Sequence, residues 1–172
     1  MKTFKQRLML VATLMVIAVS GYAQSTFHNL LEGDNTNFDG GTRGNWNSWG
    51  DNTPTWNIVA PGVDGGKCLQ LTNPSATEFH KAQLAYQFNK VLDQSKKYTF
   101  RFKAKCESGS GSRQLQFRYQ NNDYNQQREV KIFDIKEDWD SYEIENVNLD
   151  FNDANRILID FGKDAGTFYI DD

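Results

Sequence analysis

One short segment of the chain alternates long polar side chains with apolar ones. In residues 114–120, Gln116, Arg118 and Gln120 occupy every second position, and the positions between them are apolar. Such alternation is typical of a β-strand with one buried face and one open face. Amide and guanidinium groups offer several hydrogen-bond donors in fixed geometry, which suits bidentate binding of sugar hydroxyls. The alternative interpretation is an ordinary solvated strand face, and the residues leave both open.

A second alternating segment, residues 156–161, adds a carboxylate to this candidate chemistry. Its apolar positions are Ile157, Ile159 and Phe161, and Asp160 lies on the opposite face. A short glycine-containing loop joins it to a further predicted strand at 168–172. The apolar face predicts core, and the face with Asp160 is a candidate for ligand binding.

Aromatic residues near these segments are the candidates for stacking on a sugar ring, because a pyranose presents C–H groups on its faces. Phe79 and Tyr124 are the ones that we group with the polar side chains. Three tryptophans also lie in a loop-rich region, residues 24–66. We interpret Trp46 as a lid on the core, whereas Trp49 and Trp56 remain open between core lid and ligand platform.

Composition limits the classes of function. Residues 1–23 resemble an export leader, with Lys2, Lys5 and Arg7 before an apolar run that is too short to span a bilayer, and we predict cleavage after Ala23. Three of the 19 basic residues and none of the 22 acidic residues fall in this leader, so the exported chain is acidic. An acidic surface disfavours nucleic acid as a partner. We expect a secreted, periplasmic or surface protein without a membrane span.

The two cysteines, Cys68 and Cys106, and the two histidines are not spaced as metal ligands, which argues against a zinc site. Export permits a disulfide between them. In the predicted strands, however, Cys106 has the parity of the core and Cys68 points away from it. The sequence leaves the pairing open and favours free thiols slightly.

The rest of the chain predicts short strands, frequent turns and an aromatic core. The strands are predicted at 29–34, 56–60, 67–72, 81–88, 98–104, 114–120, 129–135, 141–149, 156–161 and 168–172. Within 141–149 the apolar parity switches, which predicts a bulge. We find no amphipathic helix of three turns in residues 24–172. The pattern is typical of an all-β antiparallel sandwich that forms a single domain.

An ordered series of short motifs extends over nearly all of residues 24–172. The motifs are Asn29-Leu-Leu, Asn37-Phe-Asp-Gly-Gly, Gly44-Asn-Trp, Gly65-Gly-Lys-Cys-Leu-Gln-Leu, Lys97-Tyr-Thr-Phe-Arg-Phe-Lys-Ala-Lys, Trp139-Asp-Ser-Tyr and Phe168-Tyr-Ile-Asp-Asp. In this order and spacing they resemble the jelly-roll carbohydrate-binding modules of families 4, 9 and 22, which bind cellulose and xylan. The resemblance implies two facing sheets, one of them concave and carrying a cleft for a single polysaccharide chain.

The resemblance also assigns roles to individual residues. Asp160 falls where the family places a polar ligand-binding side chain, and Phe79 falls near a stacking aromatic position that is often Trp in the family. Members often hold a structural calcium ion at positions that correspond to Asp39 and Asp171, and carboxylate oxygens are the ligands that calcium requires. Such modules are normally attached to a xylanase or glucanase. We therefore expect the chain to be the front part of a longer protein, with an incomplete last strand.

Two other classes of function are compatible with a β-sandwich. A small jelly-roll glycoside hydrolase would need two carboxyl groups about 5–9.5 Å apart, one of them with a raised pKa. Glu143 and Glu145 share a strand face, but their neighbours are polar and nothing predicts the burial that would keep one protonated. A structural or adhesive sandwich would instead need a larger exposed apolar patch. We therefore expect glycan binding without catalysis.

Overall fold

The structure is a computed structural model that describes residues 29–31 and 36–172, and these residues contain ten β-strands and one short 3-10 helix. The predicted leader, residues 1–23, lies outside the described residues, as does the second half of the strand predicted at 29–34. The described first half, residues 29–31, is irregular. Among the described residues, no helix is long and apolar enough to cross a membrane.

Nine of the predicted strands are present in the predicted order, and one strand that the sequence did not predict, β1, precedes them. Their bounds are β1 Trp46–Trp49, β2 Thr55–Val59, β3 Cys68–Asn73, β4 Gln83–Gln87, β5 Lys97–Cys106, β6 Arg113–Asn121, β7 Gln127–Ile135, β8 Asp140–Asn148, β9 Ala154–Asp160 and β10 Gly166–Asp171. The 3-10 helix, η1, spans Phe79–Lys81 and leads directly into β4. The Asn- and Gly-rich composition around β1 hid this strand from sequence reasoning.

The ten strands form two five-stranded antiparallel sheets. The front sheet has the order β1-β4-β9-β6-β7, and the back sheet has the order β2-β3-β10-β5-β8. The predicted all-β jelly-roll sandwich is therefore confirmed. The two alternating segments near the end of the sequence, β9 and β10, lie at the centres of different sheets, so the short loop between them crosses from one layer to the other.

The inward faces of the two sheets form one hydrophobic core. From the front sheet, Ile157, Ile159 and Phe117 point inward, as the alternation of polar and apolar residues predicts. From the back sheet, Phe168 and Ile170 meet them. Burying each such side chain contributes about 1.5–3 kcal/mol to the stability of the folded chain. Because the inner faces of the two sheets form the core, the outer faces are the ones that a ligand could contact.

Local irregularities of the strands decide which side chains face outward. The bulge predicted in β8 is present: Asn146 has a positive φ of 57°, and the pairing with β5 shifts register beside it. A second shift, which the sequence did not predict, lies between β6 and β7, where Phe117 pairs with Lys131 and Arg118 with Glu129. This shift skips Val130, and it places Gln127 opposite Gln120 on the outer face of the front sheet.

The two cysteines are buried and unpaired. Cys106 belongs to the core cluster, whereas the Cys68 Sγ lies 3.9 Å from the Pro61 carbonyl oxygen, on the side of the back sheet away from the core. Opposite faces of one sheet cannot be bridged by a disulfide without moving the backbone. Burial, together with the nearby Asp171, raises the pKa of the Cys68 thiol to about 11, so this thiol stays protonated at neutral pH.

Candidate functional site

The outer face of the front sheet carries polar side chains in three rows that run across the strands. Strand register aligns them, because residues directly opposite in antiparallel strands share a face. The first row is Trp49, Gln83, Asp160, Gln116 and Ile132; the second is Asn47, Ala85, Leu158, Arg118 and Glu129; the third is Gln87, Arg156, Gln120 and Gln127. We call this surface the polar face. It unites Gln116, Arg118, Gln120 and Asp160, which the sequence predicted as candidates.

The centre of the polar face is an ion pair between Arg118 of β6 and Asp160 of β9. Their side chains are 6% and 0% exposed, and the Arg118 Nε donates to Asp160 Oδ2. The other carboxylate oxygen accepts a hydrogen bond of 2.8 Å from Gln83 Nε2, and the Arg118 NH1 donates to Gln127 Oε1. Asp160 thus holds two side chains in place.

This arrangement corrects the expected role of Asp160. The family resemblance implies a carboxylate that accepts hydrogen bonds from sugar hydroxyls. The structure buries Asp160 completely, and each of its oxygens already has a protein donor. Any effect of Asp160 on a ligand therefore acts through Arg118 and Gln83, so Asp160 is a positioning residue.

A second arginine, Arg156, has a similar place in the third row but different partners. It is 3% exposed, and its NH1 and NH2 donate to Gln120 Oε1 at 3.1 Å and Gln87 Oε1 at 2.9 Å. Its guanidinium carbon lies 4.2 Å from the centre of the Tyr124 ring. Sequence reasoning did not single out Arg156, although its parity matches that of Asp160.

The two arginines fix the orientation of the glutamine amides on this face. Because Arg156 donates to the oxygens of Gln87 and Gln120, both amides turn their NH2 groups away from it. The Gln87 NH2 donates to Asn122 Oδ1 at 3.0 Å, and the Gln120 NH2 donates to Gln127 Oε1 at 3.5 Å. Gln83 is held the other way round, with its NH2 on Asp160 and its carbonyl turned away. The polar face therefore presents donors and acceptors in a set pattern.

Exposed rings lie at two borders of the polar face. Trp49, on the edge strand β1, is 37% exposed and pairs with Gln83 in the first row. Tyr124, in the turn between β6 and β7, is 63% exposed and lies over Arg156 in the third row. Trp46 instead packs against Tyr86, with ring centres 5.3 Å apart, in agreement with its interpretation as core. The question that the sequence left open for Trp49 is thus answered by an outward-facing ring.

The remaining aromatic candidate, Phe79, lies beside the polar face rather than in its rows. It is half-buried on η1, immediately before the β4 strand that carries Gln83. Its carbonyl accepts a 3.0 Å hydrogen bond from the Gly162 amide, which ties η1 to the end of β9. Trp49 lies in the first row of the polar face, whereas Phe79 lies in none of the rows. The outward position of Trp49 depends on β1, the strand that the sequence did not predict.

The two predicted calcium ligands meet at the loop between β2 and β3. Asp39 Oδ1 accepts from the Lys67 amide at 2.8 Å, and Asp171 Oδ2 accepts from the Val63 amide at 2.9 Å. Asp171 is only 5% exposed. Burial, and then the nearby carboxylates of Asp172 and Asp39, raise its pKa. The described residues contain no cluster of three or more Asp, Glu, His or Cys side chains that could hold a metal, so an ion here would also need carbonyl or water oxygens.

The alternative catalytic pair lies on the other sheet. Glu143 and Glu145 belong to β8 of the back sheet, and Glu143 forms a 2.7 Å ion pair with Arg101. The hydrogen bond and charge of Arg101 lower the pKa of Glu143. A general acid for glycoside hydrolysis needs a raised pKa, so Glu143 lacks the property that such an acid requires.

Solved structures with this fold include several carbohydrate-binding modules. A CBM4 structure is 21% identical, with a TM-score of 0.59, and the match covers 80% of this chain and 94% of that one. The CBM22-1 xylan-binding domain of Paenibacillus barcinonensis Xyn10C is 14% identical, with a TM-score of 0.60, and the match covers 80% and 88%. The CBM22-1 and GH10 modules of Clostridium thermocellum xylanase 10B, solved with xylohexaose, are 17% identical, with a TM-score of 0.61. That match covers 80% of this chain and 26% of the other.

At these identities the structural likeness shows the fold, and the sequence match shows the family. No curated protein is significantly similar to the chain in sequence. Residues 33–161, which include every row of the polar face, match the carbohydrate-binding domain family that comprises families 4 and 9. The family resemblance predicted from the short motifs is thereby confirmed, and the chain belongs to the family 4 and 9 carbohydrate-binding domains.

Proposed function

We propose that the polar face binds a single chain of a β-linked plant polysaccharide, xylan or a β-glucan, without cleaving it. The observation that carries this proposal is the fixed pattern of amide donors and acceptors between two exposed rings, Trp49 and Tyr124. Sugars offer hydroxyls at their edges and C–H groups on their faces. A surface that binds them needs oriented polar groups together with open aromatic rings.

Orientation before binding is the physical advantage of this face. Ordering a side chain on binding costs about 0.5–1.5 kcal/mol for each long, flexible group. Gln83, Gln87 and Gln120 are already held by buried charges, so less of this cost remains when a ligand arrives. Arg118 and Arg156 supply the holding contacts, and Gln116 lies in the same row as Asp160.

Two observations support binding rather than the alternatives. The Glu143 and Glu145 pair lies on the back sheet, away from the polar face, and the pKa of Glu143 is lowered. A structural or adhesive role would favour one contiguous apolar patch, yet the large exposed apolar residues of the front sheet, Trp49 and Ile132, stand on opposite edge strands. In a longer protein, such a module would direct an attached or partner glycoside hydrolase to its substrate.

Calorimetric titration of residues 24–172 with xylo-oligosaccharides and cello-oligosaccharides tests the proposal. We expect heat of binding with at least one series and retardation in a gel that contains the matching polysaccharide. Trp49→Ala should weaken binding about tenfold, because truncation of an aromatic ring that stacks on a ligand often costs more than about 1 kcal/mol of binding free energy. The matched control is Trp139→Ala, which removes a half-buried indole that contacts Lys105 in the back sheet.

The outcomes separate the three classes of function. Absence of binding to every β-glycan, both in solution and in the gel, would refute the proposal. Release of reducing sugar by the purified domain would support a hydrolase instead. Equal weakening by the Trp49 and Trp139 substitutions would show that the polar face is not the site.

We further propose that Asp39 and Asp171 hold a structural calcium ion. The residues fit such an ion, since Asp171 is buried, lies within the electrostatic influence of Asp172 and Asp39, and forms no ion pair with a described Lys or Arg side chain. Calcium would balance this charge and fasten β10 to the β2–β3 loop, which both carboxylates already contact. Thermal unfolding with calcium and with a chelator tests this: identical unfolding temperatures would refute it.

A further inference from the structure

We propose that the glycan recognised by the polar face carries an acidic group, a uronate carboxylate or a sulfate, which is bound beside Arg43 and Arg156. This inference rests on the proposed function and adds the chemical class of the sugar. Its basis is a local excess of positive charge at one end of the polar face. The chain as a whole has a formal net charge of −3, so the excess is a local property.

Arg156 is a buried cation with only neutral partners. Its guanidinium contacts the amide oxygens of Gln87 and Gln120 and the ring of Tyr124. No carboxylate of the described residues lies within ion-pair distance of it, whereas Arg118 in the neighbouring row is paired with Asp160. Because a buried charge is costly without an opposite charge, buried cations are normally paired. Arg156 therefore leaves a position of positive potential under the third row.

Arg43 lies at the same end of the face and has a comparable environment. It is half-buried, and its guanidinium carbon is 4.4 Å from the centre of the Trp56 ring. It too forms no ion pair with the described carboxylates. Stacking on a ring holds a guanidinium in place and leaves its in-plane N–H donors directed outward.

A polar depression of about 430 Å³ extends from Arg43 to Gln87, and Gln87 in turn contacts Arg156. Its lining includes Arg43, Asn47, Gln87 and Asn89. Gln87 is the connecting residue, because it lines the depression and also accepts a hydrogen bond from Arg156. The depression has room for a charged substituent of a sugar that lies along the rows. Guanidinium groups bind carboxylate and sulfate oxygens through paired N–H donors, and the surrounding amides add neutral donors.

The acidic side chains of the polar face do not cancel this charge. Asp160 is already shared between Arg118 and Gln83. Glu129 lies opposite Arg118 in the strand register, on the β7 edge, whereas the depression lies on the β1 and β4 side. An anionic group that enters near Gln87 therefore meets the Arg43 guanidinium directly and the charge of the buried Arg156 behind Gln87.

Matched oligosaccharides test the inference. The probes are a β-1,4-linked xylo-oligosaccharide with one glucuronate branch, the same molecule with the carboxylate reduced to an alcohol, and a sulfated oligosaccharide. We expect the glucuronate form or the sulfated form to bind about tenfold more tightly than the reduced form. The preference should decrease between about 0.05 and 1 M salt, because the Debye length falls from over 10 Å to about 3 Å.

Two variants and a control locate the effect. Arg43→Gln should abolish the preference for the acidic probe and leave the affinity for the reduced probe nearly unchanged. Arg156→Gln should also abolish the preference, and it should weaken the reduced probe as well, because Arg156 holds Gln87 and Gln120 in orientation. The Arg43 variant remains informative if the buried substitution unfolds the domain. Arg101→Gln, which removes a paired cation of the back sheet, should leave the preference intact.

Each outcome either supports or refutes the inference that the glycan carries an acidic group. Equal affinity for acidic and reduced probes refutes the inference and leaves the proposed function standing. Absence of binding to all probes, including unbranched β-glycans, refutes both. A preference that survives both arginine substitutions places the acidic group elsewhere and also refutes the inference. Preference for the glucuronate or for the sulfated probe supports it and identifies the acid.

Discussion

Breaking the Arg118–Asp160 ion pair should separate stability from binding. We compare Asp160→Leu, Arg118→Met and the double variant. Both side chains are almost completely buried, at 0% and 6% exposure. Removal of one partner leaves the other charge buried and uncompensated, which costs about 3–5 kcal/mol of unfolding free energy. Each single variant should therefore be strongly destabilised.

The double variant should be nearly as stable as the parent. Replacing both charges of a buried pair with apolar side chains of similar size is often neutral or stabilising, by about 1–4 kcal/mol. Binding should not recover with stability, because the double variant has lost the guanidinium that holds Gln127 and the carboxylate that holds Gln83. We expect its affinity for glycan to fall at least about tenfold, the equivalent of one charge-assisted hydrogen bond.

Urea unfolding followed by tryptophan fluorescence gives the free energies, and calorimetric titration gives the affinity. The coupling between the two substitutions is the non-additive part of the cycle. Single variants within about 0.5 kcal/mol of the parent would show that the pair is not desolvated. A stable double variant that binds glycan as tightly as the parent would remove the pair from the site.

Three further predictions concern single residues. Tyr124→Ala should weaken glycan binding about tenfold with little loss of stability, because its ring is 63% exposed; calorimetry and thermal unfolding check the two effects. Burial raises the pKa of Asp171. Without calcium, the free energy of unfolding should therefore decrease as pH rises from the ordinary pKa of 3.8 through the raised pKa of the folded state. Asp171→Asn should accordingly unfold at a higher temperature than the parent in chelator at pH 7, match it near pH 3, and lose the response to calcium. Gly166→Ala should destabilise the domain by about 1–3 kcal/mol, since Gly166 has a φ of 126° and an added Cβ would lie 2.2 Å from the Arg113 guanidinium; an unchanged urea midpoint would contradict this.

Alternation along a strand predicts which face a residue occupies, and this was enough to find the core and part of the site. It identified the outward positions of Gln116, Arg118, Gln120 and Asp160. The same reasoning, applied to β4, places Gln83 and Gln87 outward as well, because Leu84 and Tyr86 point inward. These two glutamines were therefore accessible to sequence reasoning once the outer face was considered as the candidate site.

Strand order and register were not accessible in the same way. β9 pairs with β4 and with β6, which are distant in sequence and unrelated by any local signal. The contacts of Asp160 with Gln83 and Arg118 depend on these pairings, and so does its complete burial. Trp49 was undecided for a related reason: its short strand lies in an Asn- and Gly-rich region, where composition favours loops, and pairing with β4 alone makes it a strand.

The composition of β9 is unusual for a strand at the centre of a sheet. All seven of its residues are buried, although one face of the strand is turned away from the core. A strand buried on both faces would normally be apolar throughout, as Leu158 is. β9 instead carries Arg156 and Asp160 under a cover of long polar side chains from β4 and β6. Buried charges are rarely the most stable choice, and apolar residues there would fold at least as well. What the two charges of β9 add is the fixed orientation of Gln83, Gln87 and Gln120, which matters to the ligand proposed to lie along the rows.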